Sequence, residues 1–198
     1  LNFARSKTPQ RAPVDLNRLL QETIKLLRPM ADKHNITIEL RSWSDAATTE
    51  LDSAQMQQVL TNLLVNAVHA TQARPIPKQK SVAGSEDIAK RIEVSIDRLR
   101  SAEIDPSRLT AEQTDLAEYY WRVTVKDFGI GIAPDLRENI FEPFFTTKDV
   151  GEGTGLGLSI AYGIVREHAG WIEVESQLGS GSSFSVYLPA PAESAQSC

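Results

Sequence analysis

Cysteine is nearly absent from this sequence of 198 residues, in which only Cys198 carries a thiol. A single thiol excludes an intrachain disulfide framework and a metal site built from several cysteines, and it fits a reducing compartment such as the cytoplasm. No apolar run approaches the roughly 20 residues that span a bilayer. The sequence also lacks an initiator Met and a signal pattern. We therefore interpret it as part of a longer protein, whose attachment to a membrane stays open.

An excess of basic residues is lacking too, since the formal net charge is -5 and the pI is about 5.3. This charge balance argues against a broad nucleic-acid-binding surface. The hydrophobic content of 41% is sufficient for one core. An acidic chain that binds a polyphosphate must therefore use local groups, namely backbone N–H groups, a metal ion and a few placed cations.

The apolar periodicity predicts an α/β domain over residues 12–190. Helices are expected at about 16–33, 52–73, 133–140 and 156–168, and strands at 36–40, 48–51, 91–99, 119–127, 171–176 and 182–188. Residues 74–90 and 100–117 are expected to be polar connections, the second with a short helix near 110–116. Residues 1–11 are interpreted as a helix end and linker, and 191–198 as a disordered tail. This mixture favours a two-layer sandwich.

A polar stripe runs along the helix predicted over 52–73. It passes through Gln58, Asn62, Asn66 and His69, in steps of four, four and three residues, beside a broad apolar face. Asn is a poor helix former, and two of them cost about a few tenths of a kcal/mol each. Carboxamide oxygens that bind a hard cation would offset this cost. On spacing alone, an ordinary solvated face is the simpler interpretation.

An apolar row of side chains ends in a carboxylate where the strand 119–127 ends. Trp121, Val123 and Val125 share a face with Asp127, and the glycines that follow allow a ligand to approach the backbone closely. A carboxylate there could accept a hydrogen bond from the amine of adenine and would repel the carbonyl oxygen of guanine. The alternative is a turn-forming Asp before glycines.

Two irregular segments follow this strand. Residues 141–145 contain three phenylalanines, which can anchor a loop whose tip carries Lys148. Residues 151–157 are rich in glycine and lead into a helix, whose free N–H groups form an anion site. The glycine spacing matches neither a Walker loop nor a dinucleotide fingerprint. The alternatives are a hydrophobic hinge and a flexible loop before a capped helix.

Taken in order, these four segments resemble the N, G1, F and G2 boxes of the ATP-binding domain of sensor histidine kinases, within the superfamily of gyrase, Hsp90 and the mismatch-repair ATPases. The boxes lie at 58–67, 127–132, 141–145 and 151–158, and the closing hairpin at 176–184 is followed by Leu188 and Pro189. The resemblance covers about residues 12–190. Each motif is weak alone, but the four in this order and spacing are specific, and the F and G2 boxes favour the kinase branch.

The resemblance implies a fold, cofactors and site residues. The fold would be a mixed, mostly antiparallel sheet of about five strands plus short strands, backed by three helices. The cofactors would be ATP and Mg²⁺, with Asn66 as the metal ligand, Asn66 and Lys148 as catalytic residues, and Asp127 as the adenine reader. The implied cofactor-binding residues are Asn62, Asn66, His69, Ala70, Asp127, Gly129, Gly131, Ile132, Phe141, Thr146, Thr147, Lys148, Gly153, Thr154, Gly155, Leu156, Gly157, Leu158 and Ser183.

The phosphoacceptor segment of that family is not found, because none of the three histidines lies in a helix with an acidic neighbour and a following proline. The resemblance therefore implies phosphoryl transfer to a separate dimerisation domain and relay to a response-regulator receiver domain. It also implies a monomeric fragment, a homodimeric parent and no nucleic-acid partner. The alternatives are a superfamily ATPase or serine kinase, and a non-catalytic nucleotide-binding module. A clamp-type ATPase usually carries a catalytic Glu where Asn62 stands.

Overall fold

The computed structural model describes residues 10–74, 90–105, 117–147 and 153–192. In chain order, the elements are β1 (Ala12–Asp15), α1 (Leu16–Lys33), β2 (Thr37–Arg41), β3 (Thr48–Leu51), α2 (Ser53–Gln72), β4 (Arg91–Arg100), β5 (Tyr119–Asp127), α3 (Gly157–Glu167), β6 (Trp171–Gln177) and β7 (Gly181–Ala190). Short 3-10 turns occur at Ser101–Glu103 and Pro134–Leu136. Within the described ranges, no helix is both long and apolar enough to cross a bilayer.

The main sheet has five strands in the order β2-β4-β5-β7-β6. β2 runs parallel to β4, and the other three pairings are antiparallel. β1 and β3 form a separate antiparallel pair. For the part of the chain that the structure describes, the predicted two-layer fold, with a mostly antiparallel sheet of five strands, additional short strands and three helices, is therefore confirmed.

The core lies between one face of this sheet and the helices. α2 packs against both α1 and α3, and its apolar face is buried, with Met56, Leu60 and Leu63 each about 1% exposed. The side chain of Asp52 begins this helix because it accepts hydrogen bonds from the N–H groups of Ala54 and Gln55. From the sheet, alternate residues of the three central strands point into the same core, as their buried residues Val94, Val123, Val125, Phe184 and Val186 show.

The prediction of a helix at 133–140 is wrong. Only Pro134–Leu136 forms a helical turn, and it is a 3-10 turn. The N–H groups of Leu136, Asn139 and Glu142 donate to the carbonyls of Ala133, Leu136 and Asn139 respectively, each three residues earlier. This spacing gives a chain of tight turns, since an α-helix needs bonds that reach four residues back.

β1 was not expected from the sequence, which suggested only a linker up to residue 11. The strand pairs with β3 through Ala12 opposite Leu51 and Asp15 opposite Thr48. Proline lacks an N–H group but is tolerated on an edge strand, so Pro13 does not prevent the pairing. The predictions for residues 1–9, 75–89, 106–116 and 193–198, including the disordered tail and the short helix near 110–116, lie outside the described residues.

His168 links the end of α3 to the start of α2. The residue is only 4% exposed, and it is the C-cap of α3. Nε2 accepts the backbone N–H of Asp52 at 3.0 Å, and Nδ1 lies 2.8 Å from the carbonyl oxygen of Ile164. Because Nε2 is an acceptor, Nδ1 must carry the proton, and the ring is neutral.

We expect His168→Leu to lower the free energy of unfolding by about 1–3 kcal/mol, because the partly buried N–H of Asp52 loses its acceptor. Urea denaturation measures this change. Arg166→Ala, at an exposed position of the same helix, is the control and should shift stability by no more than about 0.5 kcal/mol. Equal stability of the His168 variant and the unsubstituted chain would contradict the linking role.

Candidate nucleotide-binding site

A buried carboxylate ends the central strand β5. Asp127 is 3% exposed and continues the buried row of Trp121, Val123 and Val125. Oδ1 accepts the N–H of Gly129 at 2.9 Å. Desolvation raises the pKa of Asp127 from 3.8 to about 6, while hydrogen bonds from the backbone N–H groups of Gly129 and Ser182 act in the opposite direction. The site thus presents a strong hydrogen-bond acceptor in an apolar setting.

The loop after Asp127 lies directly on the last turns of α2. The N–H of Ile130 donates to the carbonyl of Ala70 at 3.1 Å, and the guanidinium of Arg74 donates to the carbonyl of Phe128. A Cβ atom on Gly129 would lie 2.3 Å from the backbone carbon and oxygen of Ala70. Only glycine permits this approach, so the loop and the helix are fixed against each other through their backbones.

The β6–β7 hairpin holds the other side of this loop. The N–H of Gly179 donates to the carbonyl of Ile130 at 2.7 Å, and the N–H of Ile132 donates to Oγ of Ser176 at 2.8 Å. Gly131 has a φ of 69°, and a Cβ there would lie 2.1 Å from the carbonyl oxygen of Gln177. The loop is therefore held between a helix end and a hairpin.

The polar stripe of α2 faces the start of α3. Nδ2 of Asn62 donates to the carbonyl of Gly157 at 2.9 Å, so this side chain joins the two helices. Asn66 lies one turn further along α2 and is half-buried. No hydrogen bond to another described residue occupies its amide. His69 is also half-buried, and Gln58 at the far end of the stripe is exposed.

The Phe-rich and Gly-rich segments meet at a second close backbone contact. The N–H of Phe144 donates to the carbonyl of Gly155 at 3.0 Å, and a Cβ on Gly155 would lie 2.4 Å from the carbonyl carbon of Phe144. Leu156 then caps α3 without a side-chain cap. The first N–H groups of the helix, from Gly157 onward, are thus oriented as an anion-binding helix start.

The structure brings most of the predicted residues into one region. Contacts already described connect α2, the loop after Asp127 and the start of α3. Phe141 packs on Tyr162 with ring centroids 5.3 Å apart, and Leu158 packs against the core. Thr146, Thr147 and Gly153 adjoin these segments in the chain, and Oγ1 of Thr154 accepts the N–H of Leu156 at 3.4 Å. Lys148 lies outside the described residues.

The placement of Ser183 corrects the sequence prediction. Successive strand residues point to opposite faces, and Ser183 lies on the outer face with Arg122, Thr124 and Ser185. Ser182, which pairs with Asp127 across β5 and β7, is on the core face instead. The alternation of Phe184, Val186 and Leu188 in the sequence would have indicated this. Ser176 and Arg74 were also missed, because their contacts depend on the tertiary fold.

Comparison with known proteins agrees with this architecture. Residues 51–192 match the family described as "Histidine kinase-, DNA gyrase B-, and HSP90-like ATPase". The match covers more than half of the chain, and the chain belongs to this family.

The named relatives are sensor kinases. The chain is 34% identical over 192 residues to the sensor kinase CckA of Brucella abortus (strain 2308), covering 96% of this chain and 18% of CckA. It is 32% identical over 176 residues to the sensor histidine kinase ZraS of Escherichia coli (strain K12), covering 89% of this chain and 30% of ZraS. The chain therefore spans less than a third of the length of these relatives.

Solved structures of histidine kinases have the same fold. Full-length ShkA in complex with AMPPNP matches with a TM-score of 0.68 and 28% identity, over 92% of this chain and 32% of ShkA. The catalytic domain of the histidine kinase ThkA matches with a TM-score of 0.67 and 28% identity, over 91% of this chain and 96% of that domain. The chain thus corresponds in extent to an isolated catalytic domain.

We expect Gly129→Ala to abolish nucleotide binding and to lower the free energy of unfolding by about 1–3 kcal/mol, because the new methyl group overlaps the Ala70 backbone. Gly163→Ala is the matched control. Nothing lies within 4 Å of a Cβ there, and in a helix this change should stabilise the protein by about 0.5–1 kcal/mol. Nucleotide titration and urea denaturation measure the two effects. Wild-type binding by Gly129→Ala would contradict the assigned contact.

The raised pKa of Asp127 predicts how stability depends on pH. The Asp127 carboxyl holds its proton more tightly in the folded state than in the unfolded state. Protonation of Asp127 therefore adds its full contribution to the free energy of unfolding below pH 3.8, and this contribution is lost as pH rises through about 6. Relative to Asp127→Ala, the free energy of unfolding of the unsubstituted, nucleotide-free chain should fall by about 2 kcal/mol between pH 4 and pH 7.5. Parallel pH profiles of the two proteins in urea denaturation would exclude a buried, shifted carboxyl.

Proposed function

We propose that this chain is the catalytic domain of a sensor histidine kinase, which binds Mg-ATP and transfers the γ-phosphate to a histidine on a separate dimerisation domain. In the parent protein, the phosphate then passes to a response-regulator receiver domain. The observation that carries the proposal is that hydrogen bonds join α2 both to the loop after Asp127 and to the start of α3. The named relatives support the kinase branch.

The adenine end of the site is Asp127. A desolvated carboxylate offers an acceptor to the exocyclic amine of adenine and repels the carbonyl oxygen of guanine. Gly129 and Gly131 hold the loop beside Asp127 against the backbones of Ala70 and Gln177, because neither position has room for a side chain. These features favour ATP over GTP.

The residues present also fit a hard cation at the phosphate end. Asn66 has a half-buried amide whose oxygen is not taken by another described residue, and amide oxygens are suitable Mg²⁺ ligands. Bound there, Mg²⁺ would neutralise charge on the phosphates. Nδ2 of Asn62 donates to the carbonyl of Gly157, so this side chain holds the first residue of α3. We assign it to the positioning of the α3 start.

Phosphoryl transfer depends mainly on positioning and charge neutralisation. In this proposal, positioning and charge neutralisation come from two sources. One is the set of N–H groups at the start of α3, and the other is the set of predicted phosphate contacts, His69, Thr147 and Lys148. His168 is engaged in the core, His34 caps α1 and His69 is assigned to a phosphate contact, so the proposed phosphoacceptor lies on the separate dimerisation domain. We infer a monomeric fragment, a homodimeric parent and a cytoplasmic site of action, where ATP is present and the lone cysteine stays reduced.

A hydrolytic ATPase of the same superfamily is the alternative. Hydrolysis needs a group that orients or activates water, and the position one turn before Asn66 holds an amide that is bonded to Gly157. This contact disfavours hydrolysis at that position and supports transfer to a protein acceptor.

Calorimetric titration with ATP and GTP, each with and without Mg²⁺, tests the proposal. We expect ATP to bind, GTP to bind at least tenfold more weakly, and Mg²⁺ to change the affinity for ATP, since a tenfold ratio needs only about 1.4 kcal/mol. Asp127→Ala should abolish binding, and Asn66→Ala should remove the Mg²⁺ effect. Gln58→Ala, in the exposed part of the same stripe, is the control. Absence of ATP binding by the unsubstituted chain would reject the proposed function.

A further inference from the structure

Ser176 makes three hydrogen bonds at the end of β6, next to the candidate site. Its Oγ accepts the N–H of Ile132 at 2.8 Å, donates to the carbonyl of Gly181 at 3.0 Å and lies 3.0 Å from Oγ of Ser182. A hydroxyl has one proton and two lone pairs. Every hydrogen-bonding position of Ser176 is therefore used.

This saturation fixes the direction of the contact between the two serines. A carbonyl can only accept, so the one proton of Ser176 goes to Gly181. An N–H group can only donate, so one lone pair of Ser176 receives Ile132. The remaining lone pair must receive the hydroxyl proton of Ser182. Ser182 is thus the donor to Ser176, and no other described side chain donates to its own two lone pairs.

Ser182 lies beside the adenine-reading carboxylate. It pairs with Asp127 on one side and with Ser176 on the other, and all three are on the same face of the sheet. It is 5% exposed, and its backbone N–H also donates to the Asp127 carboxylate. The side-chain groups at this end of the site are therefore a carboxylate and a hydroxyl that presents lone pairs.

We propose that Ser176 is a specificity-determining positioning residue, which orients the Ser182 hydroxyl as an acceptor and so increases the preference for a purine with an amine over one with a carbonyl at the same position. Ser176 itself does not contact the nucleotide in this proposal. When Ser176 is absent, the Ser182 hydroxyl is free to rotate and to donate to the carbonyl oxygen of guanine. This inference deepens the proposed function and rests on it.

The test measures the dissociation constants for ATP and for GTP, and the ratio between them, in the unsubstituted chain and in three variants. We expect Ser176→Ala to reduce the preference for ATP by about three- to tenfold, the effect of one neutral hydrogen bond. Ser176→Thr keeps a hydroxyl and should retain the unsubstituted ratio. Ser185→Ala is the matched control, because it removes a similar hydroxyl pair, 3.1 Å from Oγ1 of Thr124, on the outer face.

The ratio separates this role from a structural one. If Ser176→Ala weakens ATP and GTP equally, or leaves the ratio unchanged, the inference is wrong while the proposed function stands. Should Ser176→Ala fail to fold, Ser182→Ala decides, because removal of the oriented hydroxyl must also reduce the ratio, and an unchanged ratio overturns the inference. If the unsubstituted chain binds no ATP, the proposed function falls, and this inference falls with it.

Discussion

The desolvation of the Asp127 carboxylate is the constraint on which the candidate site depends. The side chain ends an apolar row in the centre of the sheet, and burial there raises its pKa to about 6. Two backbone N–H groups compensate part of the free-energy cost of desolvating this carboxylate. Because the remaining cost is not compensated, the carboxylate favours a partner that can donate a hydrogen bond. The domain therefore tolerates local instability at the position where an adenine amine would restore the missing bond.

Backbone contacts, more than side chains, shape the region around this carboxylate. Gly129 lies against Ala70, Gly131 against Gln177, and Gly155 against Phe144, each closer than any side chain would allow. Such contacts fix the position of one segment relative to the other, because no flexible side chain lies between the two backbones. The end of α2, the loop after Asp127 and the β6–β7 hairpin thus form one unit, and the start of α3 is joined to α2 by Asn62.

The sequence predicted the parts of this protein that follow a period or a motif. The long helices and central strands agree with their apolar periodicity, and the described residues of the four boxes lie on the elements expected. β1 was missed because its four residues show no clear pattern and depend on pairing with β3. The helix at 133–140 was wrong because local bonds of shorter reach replace it. Ser183 was named in place of Ser182 although the alternation with Phe184, Val186 and Leu188 indicates which serine faces the core, and the roles of Ser176 and Arg74 depend on contacts between distant segments.

The position of β7 has a consequence for the synthesis of the protein. This strand is the last of the described elements, yet it lies inside the sheet, between β5 and β6. A nascent chain that has not yet released residues 181–190 leaves β5 and β6 without their common neighbour and Asp127 without Ser182. The pairings around Asp127 therefore require β7 to be in place between β5 and β6.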